Sequence, residues 1–220
     1  MPRSLEELQA IAKRVRREIV VMIGAAKSGH PGGSLSAVEI LVELYFDAMR
    51  IDPKNPRWPD RDRFILSKGH AAPVLYAVMA EAGYADTPMG QLNTLRKLGS
   101  VYQGHPDVRF IPSLEASTGS LGEGLSLALG MGLAAHLDGR PSRTYVMLGD
   151  GEIQEGQVWE AAMAASQIWP SWISPSPSMT KNREGRASSR DPSAIPKPSD
   201  SPCPSEPVEA SRLGMKRISG

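Results

Sequence analysis

The chain has 220 residues, of which 40% are apolar, and its 25 basic and 24 acidic side chains give a formal net charge of +1. This charge lacks the basic character of a nucleic-acid-binding protein, and no apolar run approaches the roughly 20 residues of a membrane span. The single cysteine, Cys203, excludes an internal disulfide and a cysteine-based zinc site, and without a signal-peptide pattern at the N-terminus we expect a cytoplasmic protein.

The apolar residues are distributed unevenly along the chain. Residues 167–220 hold 9 of the 19 prolines, whereas Val, Ile, Leu and Phe together occupy only 6 of these 54 positions. So few apolar side chains cannot offset the conformational entropy that is lost on folding. We therefore predict a folded piece over residues 1–166 and a Pro- and Ser-rich tail over residues 167–220 that is disordered or out of frame.

Two capping patterns predict helices in the first fifty residues. Ser4 and Ser36 are each followed three residues later by Glu, which is the pattern of a capping box. Apolar residues at steps of three and four then predict an amphipathic helix to about residue 27 and a second helix over residues 38–46. The Pro-rich segment at 51–62 predicts a surface loop.

Strand and helix patterns alternate over the next hundred residues. Short apolar runs at 63–67 and 143–148 are typical of buried strands. Helices are predicted over residues 71–82, 87–98, 121–137 and 154–166, the second of them from the Thr87-Pro88 start signal. This alternation predicts an α/β fold with a doubly wound, mostly parallel sheet.

Four glycine-rich segments carry polar residues at the boundaries of these elements. They are SGHPGGS at 28–34, SKGH at 67–70, GHP at 104–106 with STGSLGEG at 117–124, and GDGEIQEG at 149–156. Glycines let the backbone approach a phosphate, and helix N-terminal amides attract its charge. A carboxylate at the carboxyl edge of a parallel sheet suits Mg²⁺ or Ca²⁺. The segments therefore predict a site for a diphosphate and a divalent metal ion.

Each feature also has a purely structural explanation. A Gly-Asp-Gly turn is common between elements, and a lone histidine is most often filler, which is how we interpret His136. The other histidines, His30, His70 and His105, all lie in glycine-flanked segments. At such positions an imidazole can bind phosphate or sugar hydroxyls, or transfer protons.

Longer stretches around these segments occur in unbroken order over about residues 5–166. They are SGHPGGSLSAVEIL, DRFILSKGHAAPVLYA, GHPD with STGSLGEGLSLALGMG, and MLGDGEIQEGQVWEAAMAA. Together they resemble transketolase, in particular the separate N-terminal subunit of split, prokaryotic-type transketolases. The resemblance implies a thiamine diphosphate-binding α/β domain, incomplete here. It also implies two-carbon ketol transfer between a ketose phosphate and an aldose phosphate, as in the pentose phosphate pathway.

The resemblance also implies roles for individual residues. Asp150 would ligate the metal ion, and Glu155 would lie at the contact between two cofactor-binding domains, although a Glu in a first helical turn is also favoured by the helix dipole. The family more often has Pro at the position of Ser120. The implied cofactor-binding residues are His70, Gly119, Leu121, Gly149, Gly151 and Glu155, and the implied catalytic residues, beside the substrate, are His30 and His105.

The implied cofactors are thiamine diphosphate and Mg²⁺, or another divalent cation such as Ca²⁺. In this family the Glu that activates the cofactor lies in a pyrimidine-binding domain. The resemblance therefore implies a C-terminal partner subunit that carries this domain, and a dimer of heterodimers when complete. Sugar phosphates are the implied substrates, and no nucleic-acid or membrane partner is expected.

The resemblance stops near residue 166. The family's metal site needs an Asn about thirty residues beyond the Gly-Asp-Gly aspartate, where this chain has Thr180 and, close by, Asn182. Prolines between residues 170 and 177 exclude a central strand before that point. A shifted reading frame, a wrongly predicted gene end and a genuine tail all account for this break. We expect weak or no cofactor binding and no turnover from the chain alone.

Two other functions stay open at this point. One is a different thiamine diphosphate enzyme such as a deoxyxylulose-phosphate synthase, a family that shares the Gly-Asp-Gly motif but lacks the SKGH and GHP segments. The other is a non-enzymatic fragment that at most binds a partner subunit. Thiamine diphosphate binding, measured with Mg²⁺ and a partner subunit present, separates an enzyme from such a fragment.

Overall fold

A parallel pair of strands forms the centre of the fold. The computed structural model describes residues 3–168, so the predicted tail lies, from residue 169 onward, outside the described residues. Strand β1 (Arg63–Leu66) pairs in parallel with β2 (Thr144–Met147), and Arg63 lies opposite Thr144. For the described residues, the prediction of an α/β fold with a parallel sheet is confirmed.

Helices connect and flank the two strands. Within residues 3–168 the α-helices are α1 (Leu5–Ala26), α2 (Pro31–Leu35), α3 (Val38–Glu43), α4 (Ala72–Ala82), α5 (Glu123–Leu137) and α6 (Gly156–Ile168). The shorter helical turns are a π-helical turn at Leu44–Ala48 and 3-10 turns at Gly69–Ala71, Met89–Thr94 and Glu152–Gln154. None of the helices in this part of the chain is long and apolar enough to cross a membrane.

The two faces of the sheet are covered by different helices. Phe64 and Leu66 of β1 are buried in a core that they share with α1, α3 and α4. Val146 of β2 instead lines a cavity of about 320 Å³ together with side chains of α5 and α6. Val146 lies opposite Ile65, and successive side chains of a strand point to opposite faces, so Val146 points away from the face that carries Phe64 and Leu66. Helices therefore lie on both sides of the sheet, as predicted for a doubly wound fold.

Helix α1 begins with the predicted capping box. The Ser4 hydroxyl accepts the Glu7 N–H at 3.2 Å, and the Glu7 carboxylate accepts the Ser4 N–H at 2.8 Å. Lys27 ends the helix in the left-handed conformation with a φ of 50°. The buried residues of the apolar stripe are Ile11, Ala12, Val15, Ile19 and Met22.

The second predicted capping box does not form. Ser36 follows α2, and its hydroxyl donates to the carbonyl of Gly33 at 3.2 Å, so α3 begins without a side-chain cap. Glu39 instead forms an ion pair with Arg16 of α1. A separate helix, α2, begins at Pro31, a residue favoured at the first helical position, and Ser36 caps the end of this helix and not the start of α3.

The continuous helix predicted over residues 87–98 does not form. Only the 3-10 turn at Met89–Thr94 forms, and Arg96 then adopts the left-handed conformation with a φ of 60°. The Arg96 N–H donates to the carbonyl of Tyr102 at 2.8 Å. This chain reversal places Tyr102 in the core, and the burial of a large aromatic side chain outweighs the local helical pattern.

Candidate active site

Residues from all four motif segments meet at the carboxyl ends of β1 and β2. A cavity of about 440 Å³ opens there, within the range of roughly 300–1,000 Å³ that is common for small-molecule sites. The predicted residues that line it are His70, Leu121, Gly149, Asp150 and Gly151. They are joined by Gly32, Gly33, Ser36, Lys68 and Glu152, which the sequence analysis did not select.

Lys68 contributes a buried positive charge to this cavity. The residue is only 6% exposed, and its Nζ lies 3.4 Å from the hydroxyl of Ser36. Burial lowers the pKa of Lys68, while the charges of Asp150 and Glu152 act in the opposite direction. A desolvated cation of this kind gains from an anionic ligand. Its place next to a glycine at the end of a buried strand was a usable signal in the sequence.

His70 lines the cavity and packs against His30, which is not among the lining residues. His30 directly precedes α2, and the two ring centroids are 5.1 Å apart in an edge-to-face arrangement. A Cβ on Gly33 would come within 3.4 Å of the His70 ring, so the absence of a side chain there allows this close approach. Burial lowers the pKa of His70, and the charges of His30 and Lys68 add to the effect. His70 is therefore neutral at pH 7.

His105 lies on a neighbouring loop beside Gly119. The carbonyl of His105 accepts the hydroxyl of Tyr76 at 2.9 Å, and a Cβ on Gly119 would lie 3.5 Å from the imidazole ring. Burial lowers the pKa of His105, and Arg96 and His30 lower it further. The three predicted histidines are thus close enough to influence one another electrostatically, and His105, like His70, is neutral at pH 7.

Asp150 lines the cavity at the turn that follows β2. Residues 3–168 contain no group of three or more His, Cys, Asp or Glu side chains arranged to hold a metal ion. Mg²⁺ is commonly bound by one or two carboxylates and completes its coordination with water and phosphate oxygens. The described donor set therefore fits a metal ion that arrives with a phosphate ligand. Thr180 and Asn182 lie outside the described residues.

Two of the predicted cofactor residues lie outside the lining of the cavity. Gly119 donates its N–H to the carboxylate of Glu123, at the start of α5, at 3.1 Å. Glu155 is exposed and follows the 3-10 turn at Glu152–Gln154. The predicted contact of Glu155 with a second domain stays a prediction.

Glu152 is a buried acid at the base of the cavity and is only 3% exposed. Its carboxylate accepts the N–H of Gly149 at 2.7 Å, the N–H of Gly122 at 2.8 Å and the hydroxyl of Ser67. Glu152, like Lys68, is not among the site residues predicted from the sequence. The available signal was an acidic residue directly after a turn whose backbone donors need a partner.

The cavity combines the groups that a phosphorylated ligand requires. Lys68 offers a positive charge, His70 a neutral imidazole that can donate or accept a hydrogen bond, and Asp150 a metal-binding carboxylate. The apolar side chain of Leu121 completes one wall. The arrangement is suited to an anionic headgroup with a bound metal ion and an apolar contact.

Comparison with known proteins relates this site to a family. The family described as "Transketolase, thiamine diphosphate binding domain" matches residues 8–169. The chain is 48% identical over 159 residues to a 6-deoxy-6-sulfo-D-fructose transketolase subunit of Clostridium sp. (strain MSTE9), with 72% of this chain covered. It is 42% identical over 163 residues to an apulose-4-phosphate transketolase subunit of Phocaeicola vulgatus, with 74% covered.

Solved structures show the same relationship. The transketolase of Campylobacter jejuni superposes with a TM-score of 0.71 at 34% identity, over 76% of this chain and 27% of that one. The chain spans 57% of the length of each of the two bacterial subunits. The matched region is therefore only part of each of these relatives.

Proposed function

Because the chain belongs to the transketolase family through its thiamine diphosphate-binding domain, we propose that it acts as the N-terminal subunit of a two-subunit transketolase. The proposed reaction transfers a two-carbon ketol unit from a ketose phosphate to an aldose phosphate, in the cytoplasm. The observation that carries the proposal is the grouping of Lys68, His70 and Asp150 in one cavity at the carboxyl ends of two parallel strands.

The residues of the cavity fit the diphosphate end of the cofactor. Lys68 would neutralise the diphosphate charge, His70 would donate a hydrogen bond to it, and Asp150 would ligate Mg²⁺ or Ca²⁺ beside it. Gly149 and Gly151 let the backbone approach the same group, and Leu121 would pack on the cofactor, as would Gly119. When bound, thiamine diphosphate supplies an electron sink for cleavage of a carbon–carbon bond.

His30 and His105 are the proposed catalytic residues. A neutral imidazole can accept a proton from a sugar hydroxyl and return it later, and burial lowers the pKa of His105 so that it can accept a proton at pH 7. His30 packs on His70, and this contact supports a role for His30 next to the proposed diphosphate site, on the side of the substrate.

The proposal includes a C-terminal partner subunit that supplies the pyrimidine-binding domain. Both bacterial relatives are described as subunits of transketolases, which supports a two-subunit enzyme. The exposed Glu155 would contact the second cofactor-binding domain, and the complete enzyme would be a dimer of heterodimers.

Calorimetric titration with thiamine diphosphate and Mg²⁺ tests the proposal. We expect weak binding to the chain alone, and saturable binding with ketol transfer once a cognate C-terminal subunit is added. Absence of saturable binding at millimolar cofactor with the partner present would overturn the proposal and support a non-enzymatic fragment. Release of CO₂ from pyruvate in place of ketol transfer would identify a deoxyxylulose-phosphate synthase instead.

A further inference from the structure

We propose that Glu152 is a positioning residue that fixes two walls of the cofactor cavity through backbone hydrogen bonds. The inference rests on the proposed function, because it assigns to Glu152 the task of shaping the site for thiamine diphosphate. Glu152 acts through Gly149 and Gly122, each of which is directly bonded to a residue that lines the cavity.

The contacts of Glu152 converge from three separate segments of the chain. Oε2 accepts the N–H of Gly149, at the end of β2, at 2.7 Å. Oε1 accepts the N–H of Gly122, immediately before α5, at 2.8 Å, and also the hydroxyl of Ser67 at the end of β1. One side chain therefore joins the ends of both strands to the start of a helix.

Ser67 extends this network to the first turn of α5. Its Oγ accepts the N–H of Gly124 at 3.1 Å while donating to Glu152. A neighbouring bond runs from the hydroxyl of Thr118 to the carbonyl of Leu66 at 2.7 Å. The loop before α5 and the first turn of α5 are thus each bonded to the end of β1, and Glu152 connects them to the turn after β2.

The geometry links these bonds to the cavity and not only to general stability. Gly149 precedes Asp150, and Gly122 follows Leu121, so a shift of either glycine moves a residue that lines the cavity. Without the carboxylate, the buried N–H of Gly122 and the partly buried N–H of Gly149 lose their acceptor, which is costly away from water. Those amides then recover a partner only if the turn and the loop move.

The test replaces Glu152 by Gln, which preserves shape but converts one carboxylate oxygen into an NH₂ donor that faces other donors. The matched control is Glu160→Gln, an exposed acid on α6. With Mg²⁺ and the partner subunit present, we expect thiamine diphosphate to bind Glu152→Gln about 10- to 100-fold more weakly, as is common when a residue that orients ligands is lost. Glu160→Gln should keep the wild-type affinity.

Amide hydrogen exchange supplies a readout that needs no cofactor. In the chain without ligand, peptides that contain Gly122 and Gly149 should exchange faster in Glu152→Gln than in wild type, while peptides from α1 keep wild-type rates. Both variants are compared by circular dichroism at a temperature where each is fully folded, so that global unfolding does not contribute.

The outcomes separate this inference from the proposed function. Wild-type exchange and wild-type affinity in Glu152→Gln would overturn the positioning role. If the wild-type protein itself binds no cofactor, the proposed function fails, and the exchange rates alone decide whether Glu152 holds the two glycines. Should Glu152→Gln fail to fold, Ser67→Ala, which removes one of the three donors, is measured in the same two ways, and wild-type values in both would reject the proposal.

Discussion

The imidazole rings of His30 and His70 pack edge to face with their centroids 5.1 Å apart. Protonation of both rings would place two positive charges in contact, close to the charge of Lys68. Burial and the charges of His30 and Lys68 therefore favour a neutral His70 imidazole when the site holds no anion. The positive charge of Lys68 attracts an anionic ligand, which would in turn favour the protonated form of His70.

The stability of the folded chain should fall on mild acidification. Burial lowers the pKa of His70 and His105 below the ordinary value of 6.5, so the unfolded chain binds protons more readily than the folded one. Their contribution is complete above about pH 6.5 and is lost as the pH falls through the depressed pKa values. We expect the urea midpoint to decrease between about pH 7.5 and about pH 5.

Histidine variants identify which side chains cause this pH dependence of the urea midpoint. His70→Asn should have a shallower decrease than wild type, because one of the two groups no longer titrates. His105→Asn should have the same effect, because burial and Arg96 lower the pKa of His105 as well. A wild-type midpoint that is constant over this pH range would contradict the prediction.

Replacement of Lys68 by Gln should weaken the binding of anions without destabilising the chain. Charged hydrogen bonds contribute about 1.5–3 kcal/mol, so inorganic pyrophosphate and thiamine diphosphate should each bind about 10- to 100-fold more weakly by calorimetry. The free energy of unfolding should be unchanged or higher, because a buried cation is removed. Lys97→Gln, at an exposed position, is the control, and equal affinities in the two variants would contradict the role of Lys68.

Local periodicity was enough to predict most of the fold. The stripe of α1 and the two strands each depend on residues close together in the sequence, and alternating strands and helices leave few arrangements other than a parallel sheet. The same patterns failed where distant contacts compete. Ser36 and Glu39 have the spacing of Ser4 and Glu7, but Glu39 pairs with Arg16, which no local pattern reveals.

The site could be located from the sequence but not completed from it. Parallel strands end at a common edge, so residues that follow β1 and β2 were expected to lie together, and His70 and Asp150 do line one cavity. Lys68 and Glu152 were missed because their importance comes from burial. A lysine or a glutamate in a glycine-rich loop is most often solvated, and only the tertiary structure shows that these two are enclosed.

Two glycines of α5 should respond to alanine in opposite ways. A Cβ on Gly124 would lie 2.5 Å from the Cβ of Ser67, whereas a Cβ on Gly130 meets nothing within 4 Å. Gly124→Ala should therefore lower the free energy of unfolding by about 1–3 kcal/mol through overpacking. Gly130→Ala should raise it by up to about 1 kcal/mol through helix propensity. Urea denaturation measures both, and equal effects would contradict this description of the contact between α5 and β1.

Asp62 ties the start of one strand to the start of the other. Its side chain is fully buried and accepts the backbone N–H of Arg50 at 3.0 Å and of Arg143 at 2.8 Å. Both guanidinium groups also donate to it, at 2.9 and 3.0 Å. Burial alone would raise the pKa of Asp62, but the hydrogen bonds from Arg50 and Arg143 outweigh burial and hold it below the ordinary value of 3.8.

Asp62→Ala should therefore destabilise the chain by about 2–4 kcal/mol, somewhat less than a fully buried pair, because both arginines remain partly solvated. Asp60→Ala, which removes a half-exposed partner of Arg140, should cost less than about 1 kcal/mol. Because a depressed pKa contributes stability above the unfolded value and loses it as the pH falls, the gap between Asp62→Ala and wild type should narrow below about pH 4. Urea titrations of the three proteins at neutral and acidic pH measure this gap, and a gap independent of pH would show that Asp62 acts by packing and not by charge.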